Sequence, residues 1–430
     1  MNTLPPPSRQ RRRLLHLAAL GPLLGGALPR ALAAPQVVTV VTSYPDEFVS
    51  RVEAAFEAAN PGYRLNVIWR NAADAADFLR QPDHGGADVY WSPSPRNFAQ
   101  LAQAGVWRRL PIDRASLPAR IGNTPLGDHA DFYTASEVAG FGFAIVPDWF
   151  ARNDVAPPAD WPDLTDPRLA GRIALPIPSQ VGYAPPMVEI VLQAWGWDQG
   201  WALWSEIAGN AAPIARASTF VSDLVADGRY AVGLSIDFFV NSAIANGHPI
   251  RFVYPAHTGL NPAHIALTRA APNPEGASRF VDFILSPAGQ QLLRHADIRR
   301  LPVRPDAYAG SGFNPFAAAA SGGMDFDAER ARPRLALSSA VFDAMLVTPH
   351  AELAALWRDL HRAETSGRDA AAARRLLGTP PLAVAAADDP ALQQRFAERD
   401  PATSQLLAAW QRDCATRRDE ARRLLQGLNS

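Results

Sequence analysis

The sequence predicts an α/β protein whose carboxyl-terminal third is purely helical. Three observations carry this. β-Branched or aromatic runs alternate with amphipathic stretches from Val37 to about Pro305. Polar loops stand at the carboxyl ends of four of those runs. Beyond Pro305, Ala, Arg and Leu recur at helical spacing. With 430 residues, 48 % hydrophobic and only 19 % charged, the chain can bury a sizeable core and is too apolar for disorder.

The amino end reads as an address. Arg11-Arg12-Arg13 precedes the apolar run Leu14 to Leu28, and Ala31-Leu32-Ala33 fits the small-x-small cleavage rule, so residues 1–33 are expected to be a removable signal peptide. The paired Arg before Leu14-Leu15 resemble a twin-arginine signal with Gln10 where Ser or Thr is preferred; a Sec signal is the alternative. Either implies export to the periplasm.

Strand one is Val37–Val41, followed by Ser43-Tyr44-Pro45 and a helix with Asp46 and Glu47 at its positive end and Phe48, Val52 and Phe56 on one face. Leu65–Trp69 is strand two, Ala72–Leu79 a helix, Ala87–Trp91 strand three, and Arg96–Ala104 a helix stopped by Gly105. This alternation implies a mostly parallel sheet covered on both faces. Phe132–Ala135 and Phe141–Val146 read as two extended segments joined through Ser136-Glu137. Arg172–Leu175 is a strand, Pro176–Pro185 a loop, and Val188, Val191, Leu192 and Trp195 share a helix face. Ser218 is placed to cap a helix holding Val221, Leu224 and Val225. Ala231–Leu234 is a buried strand ending in Ser235, Asp237, Phe238 and Phe239. Ile265–Leu267 is a further strand, and Phe280, Phe283 and Ile284 face inward from a helix. Ser338–Leu346, Pro349–Ala363, Ala370–Leu377 and Thr403–Leu425 fit amphipathic helices.

Signatures of catalysis are missing. There is no His-Glu-x-x-His or Gly-x-Ser-x-Gly, and Gly140-Phe141-Gly142 lacks the third glycine of a dinucleotide loop. All 41 basic residues are Arg, which removes Schiff-base and Walker-lysine chemistry. Cys414 stands alone, and the nine His show no metal spacing, although His257 and His264 read as loop residues able to reach a cleft. No enzyme activity, metal or cofactor is expected, and a secreted hydrolase would need a nucleophile–base pair that the sequence does not present. A net charge of −1 gives no pull toward nucleic acid.

In open α/β sheets, ligands sit beyond the carboxyl ends of strands. Ser43-Tyr44, Ser92-Pro93-Ser94, Ser179 to Tyr183 and Ser235 to Asp237 all occupy such ends, and convergence on one cleft explains them jointly. Turn-making and, for Asp237, helix capping are the alternatives. The candidate site is Ser43, Tyr44, Ser92, Ser94, Glu137, Ser179, Gly182, Tyr183, Thr219, Asp237 and Phe238. Ser179 and the N–H groups near Gly182 precede a helix and would seat an anion. Glu137 and Asp237 would take hydroxyls or an amine, and Phe238 or Tyr44 would stack on an apolar face.

Ser43-Tyr44-Pro45 before a helix, Ala87-Asp88-Val89-Tyr90-Trp91, and Arg279 to Gln290 with Asn273-Pro274-Glu275 before it resemble the bacterial extracellular solute-binding proteins of ABC transporters. The likeness runs from Val37 to about Val303 and, more narrowly, resembles the branch with ferric-iron and sugar-phosphate or phosphoglycerate-linked binders. It implies a type II periplasmic binding protein: a first lobe from 34–130 and 252–308, a second from 131–251, hinge strands between them, and a helical extension from 309–430. It further implies a small, phosphorylated or otherwise anionic ligand in the cleft and an ABC permease as partner, with a sensor kinase as partner if the protein serves signalling instead. Iron binders carry adjacent tyrosines where this chain has Phe238 and Phe239, which argues against Fe(III). The extension is expected to buttress the first lobe; a docking surface for the kinase or permease is the alternative.

Overall fold

The computed structural model describes residues 34–113, 116–215, 221–310 and 312–429. The expected leader, Ser218 and Thr219 lie outside them. The strands, in chain order, are β1 (Gln36–Thr42), β2 (Tyr63–Trp69), β3 (Val89–Ser92), β4 (Trp107–Arg108), β5 (Arg120–Ile121), β6 (Thr124–Pro125), β7 (Thr134–Ile145), β8 (Ile173–Pro176), β9 (Ala211–Ile214), β10 (Val232–Ile236), β11 (Arg251–Val253), β12 (Leu260–Thr268) and β13 (Leu301–Pro302). All but β5 and β6 join one mixed sheet, whose main path runs β2-β1-β3-β12-β7-β10-β8-β9.

The first lobe begins with β1, β2 and β3 in parallel, alternating with α1 (Asp46–Ala59), α2 (Ala72–Leu79) and α3 (Pro95–Gln103). Phe48, Val52 and Phe56 of α1 are buried, as their spacing predicts. Asp88, from the Ala-Asp-Val-Tyr-Trp run, ties this lobe together. Its carboxylate accepts from the Thr39 N–H at 2.8 Å and the Asn273 N–H at 2.6 Å.

The second lobe holds α4 (Pro147–Asn153), α5 (Pro185–Trp195), α6 (Trp197–Asn210), α7 (Val221–Ala226) and α8 (Asp237–Ala245) around β8, β9 and β10. The chain then returns to the first lobe through β11 and β12, followed by α9 (Pro274–Leu285) and α10 (Pro287–Leu292). Gln290 is fully buried; its amide donates to the Ser136 carbonyl at 2.7 Å and accepts from the Val303 N–H at 2.7 Å. The motif residues thus brace the crossing strand.

That strand differs from expectation. Phe132–Ala135 and Phe141–Val146 are not two segments; Thr134 to Ile145 is one strand, buried at every residue. Thr134 to Gly140 pair with β12, and Phe141 to Ile145 pair with β10. Ala135 and Val138 pack in the first lobe, Phe141, Phe143 and Ile145 in the second. Ser136 and Glu137 look like loop residues locally, yet both are 1 % exposed because each finds a polar partner inside.

The rest of the chain is α11 (Pro315–Ala320), α12 (Ala328–Ala331), α13 (Leu335–Phe342), α14 (His350–Thr365), α15 (Ala371–Gly378), α16 (Val384–Ala387), α17 (Pro390–Ala397) and α18 (Thr403–Asn429). It corrects the expectation of a first-lobe buttress. Only α11 and its flanks lie there, with Phe313, Phe316 and Met324 against the first core. From Phe326 onward the apolar side chains join the second core: Leu337, Val341, Phe342, Leu353 and Trp357 pack with Trp201, Trp204 and Ile207. An amphipathic stripe fixes which face is buried and not which body it meets. Among the described residues, the extension exposes only Val384 and Leu424 as large hydrophobics, far apart in sequence.

The change of lobe occurs over a few residues. Asn123 of the first lobe donates to the Asp325 carbonyl at 2.6 Å and binds the Met324 carbonyl through its N–H at 3.1 Å. Gln193 of α5 then exchanges two hydrogen bonds with the backbone of Asp327, at 3.0 and 2.8 Å. This strap is a third passage between lobes.

Phe342 is fully buried against Trp204. Phe342→Ala is expected to cost about 3–5 kcal/mol in urea unfolding, as for a core aromatic; a loss below about 1 kcal/mol would show that the extension is not part of that core.

Candidate functional site

The crossing strand, α1, α8 and the turn before β13 bring a set of side chains together between the lobes. Tyr44 leaves β1 and turns its ring against Phe48 and Trp91, centroids 4.8 and 4.6 Å away. Its hydroxyl donates to Glu137 Oε1 at 2.8 Å. The same oxygen accepts from Arg300 Nη1 at 2.5 Å. Burial raises the Glu137 carboxyl above its ordinary range, and the Arg300 charge and the Tyr44 hydroxyl pull it back. Glu137 Oε2 is buried without a hydrogen-bond partner.

Arg300 is the centre of the cluster. Its Cζ lies 4.9 Å from the Tyr44 ring, 5.3 Å from the Phe48 ring and 4.9 Å from the Phe238 ring. The first two rings belong to the first lobe and the third to α8 of the second. A guanidinium is flat and weakly hydrated, so aromatic faces hold it without taking its N–H donors. Glu137 takes one of the five.

Asp237 begins α8 but does not cap it; no side-chain cap is formed there. Its Oδ2 accepts from the Gly140 N–H at 2.8 Å and the Tyr254 hydroxyl at 2.9 Å. A Cβ at Gly140 would lie 2.5 Å from the Tyr254 ring, so this approach requires glycine. Tyr254 in turn stacks flat on Phe313, centroids 3.6 Å apart. Burial pushes the Asp237 carboxyl up to about 7 against the pull of these donors and of Arg300.

The other expected residues are distributed as follows. Ser43 and Ser92 meet, Oγ to Oγ at 2.8 Å. Ser94 stands at the start of α3, near Tyr90. Tyr183 packs on Phe239 at 5.6 Å, and burial pushes its phenol up to about 12. Ser179 and Gly182 are exposed. Ser179 lies near Asp343, a carboxyl raised by burial. The first turn of α5 itself offers an anion few N–H groups. Pro185 and Pro186 fill the first two positions of α5 and carry no N–H, while the Val181, Ala184 and Met187 N–H groups donate to backbone carbonyls. Thr219 lies outside the described residues.

His264 is not in a loop. It sits on β12 with its ring between Phe98 and Tyr133, and burial lowers it to about 3, leaving it neutral. His257 Nδ1 bonds Asp325 at 2.7 Å beside the strap. Among the described residues no three His, Cys, Asp or Glu gather as a metal set. Sequence reasoning missed Arg300, Phe48 and Tyr254. Arg300 is one of 41 arginines and carries no local signal; Tyr254-Pro255 closes the stretch that contains Asp237 and could have been weighed with it.

Bacterial extracellular solute-binding proteins match residues 88–318 as a family, more than half of the chain. The phosphoglycerate transport regulatory protein PgtC of Salmonella typhimurium is 31 % identical over 281 residues, covering 64 % of this chain and 69 % of that protein. The chain therefore belongs to the family of bacterial extracellular solute-binding proteins. Two solved structures share its fold. Periplasmic binding protein AfuA of Actinobacillus pleuropneumoniae, with fructose-6-phosphate bound, gives a TM-score of 0.52 at 18 % identity over 69 % of this chain and 96 % of that one. Iron-bound HitA of Pseudomonas aeruginosa gives 0.53 at 18 % over 70 % and 99 %. The fold is that of type II periplasmic binding proteins with a helical extension. Among the described residues no helix is long and apolar enough to cross a membrane.

A folded-state Asp237 pKa raised toward about 7 means that its contribution to stability is fully present below about pH 4 and is lost as pH rises through about 7. Asp237→Asn, which keeps an acceptor for Gly140 and Tyr254, is expected to flatten the fall in stability between about pH 5 and pH 8. An unchanged slope in chemical denaturation would show that the carboxyl is ionised throughout.

Proposed function

We propose that this solute-binding protein takes up a small anionic organic solute, a phosphorylated one, between its lobes in the periplasm and delivers it to an ABC permease. The observation that carries the reading is Arg300: a nearly buried guanidinium between the lobes, held by three aromatic rings and giving one hydrogen bond to Glu137. The planar fork suits carboxylate and phosphate oxygens. Glu137 Oε2 is a spare acceptor for a hydroxyl once the lobes part. The names of PgtC and of the AfuA complex, one linked to phosphoglycerate and the other to a sugar phosphate, support a phosphorylated solute. Phe238 and Phe239 supply no phenolate, which counts against Fe(III) as cargo. Residues 1–33, read as a leader, supply the route of export. We take the seat to comprise Tyr44, Glu137, Asp237, Phe238 and Arg300, with Ser43 and Ser92 at its edge.

Titration calorimetry with 3-phosphoglycerate, fructose 6-phosphate and, as neutral control, glycerol tests this. A phosphorylated compound should bind saturably and glycerol should not. Arg300→Ala should weaken that binding by more than about thirtyfold, and Arg300→Lys, which keeps the charge beside Glu137, by about tenfold. Equal affinity in the wild type and both variants would overturn the reading.

A further inference from the structure

The turn that presents Arg300 is held from the opposite lobe. α10 is followed by a tight reversal in which the Ile298 and Arg299 N–H groups both bond the His295 carbonyl, at 2.9 Å each, and the Arg300 N–H bonds the Leu293 carbonyl at 2.8 Å. Arg299 takes a left-handed backbone conformation, φ +48°, which a residue other than glycine adopts only at a cost. That reversal leaves the Arg299 carbonyl facing α8. Asn241 Nδ2 donates to it at 3.0 Å. Asn241 and Phe238 are three residues apart on α8 and so share a face. One helix face of the second lobe therefore touches two consecutive residues of the first: Asn241 on the Arg299 backbone, Phe238 on the Arg300 guanidinium.

We infer that Asn241 is a positioning residue for solute binding: it latches the Arg299–Arg300 turn to α8 when the lobes meet and thereby fixes the guanidinium in the seat. The link to solute rests on the reading of Arg300 given above. Parting the lobes separates α8 from this turn and breaks the amide–carbonyl bond, so the bond favours the closed state only. Neither group is ionised, so the latch does not titrate, and its contribution is that of one hydrogen bond between neutral groups. Asn241 is half-buried on the helix surface, outside both hydrophobic cores, so its replacement leaves the fold intact.

The test reads lobe distance without any ligand. Spin labels are placed on the full chain at Arg96→Cys and Ala245→Cys, exposed positions on α3 and α8, with the buried Cys414 replaced by Ala. The wild-type background should show a short-distance population. Asn241→Leu, similar in volume and without the donor, should lower the short-to-long ratio roughly fivefold with an unchanged circular dichroism spectrum. A second arm measures release of 3-phosphoglycerate by stopped flow: Asn241→Leu should release it roughly fivefold faster at an unchanged association rate. An unchanged distance distribution, or only a long distance in the wild-type background, overturns the latch. If no phosphorylated compound binds, the anion reading fails, while the distance measurement still decides the latch.

Discussion

One length of backbone serves two sheets. β7 pairs with β12 up to Gly140 and with β10 from Phe141, and every residue in it is shielded from water. A buried strand must satisfy its polar groups throughout, and the place where it changes partners is where the ladder alone cannot do so. There the Gly140 N–H is taken by Asp237, the first residue of α8, and Tyr254 closes the other side of the same carboxylate. The crossing, the helix that faces the first lobe and the returning chain are thus fixed by one oxygen atom.

The charges near this crossing follow from the same constraint. A carboxylate as deeply buried as Glu137 is costly unless paired. Arg300 and Tyr44 provide the pairing, and they come from segments 256 residues apart in the chain. Removing Arg300 leaves the buried carboxyl without its counter-charge, so the cluster holds the structure together in its own right. Aromatic rings hold the guanidinium without consuming its donors, so fixing Arg300 in place does not exhaust its capacity to bind.

Much of the architecture is legible in local pattern. The alternation from Val37 to Gly105 marks the parallel part of the first lobe, and the spacing of Leu353, Leu356, Trp357 and Leu360 marks one face of α14. What periodicity cannot give is the identity of the surface a face will meet, and so the extension falls on the second lobe instead of the first. Polarity also misleads where a pair is satisfied internally: Ser136-Glu137 reads as a break and is the middle of the longest strand. Of the expected site, Tyr44, Glu137, Asp237 and Phe238 do assemble with Arg300, whereas Ser179 and Gly182 lie on an exposed turn whose helix opens with two prolines. The proline pair was visible in the sequence, and it takes two donors from the start of the helix on which the expected anion seat leans.

The strap at Met324 to Asp327 changes the mechanics of the molecule. Two hinge strands define a line about which two bodies can swing, and the strap runs beside that line: the Phe326 N–H bonds the Thr258 carbonyl at 3.3 Å, and the Thr258 hydroxyl bonds the Phe141 carbonyl of the crossing strand at 2.7 Å. Asn123 grips it at Met324 and Asp325 from the first lobe and Gln193 grips Asp327 from the second, so the bending between the lobes falls on the one residue left between them, Phe326. The swing of the lobes is then taken up around Phe326, and the helical tail beyond it rides with the second lobe.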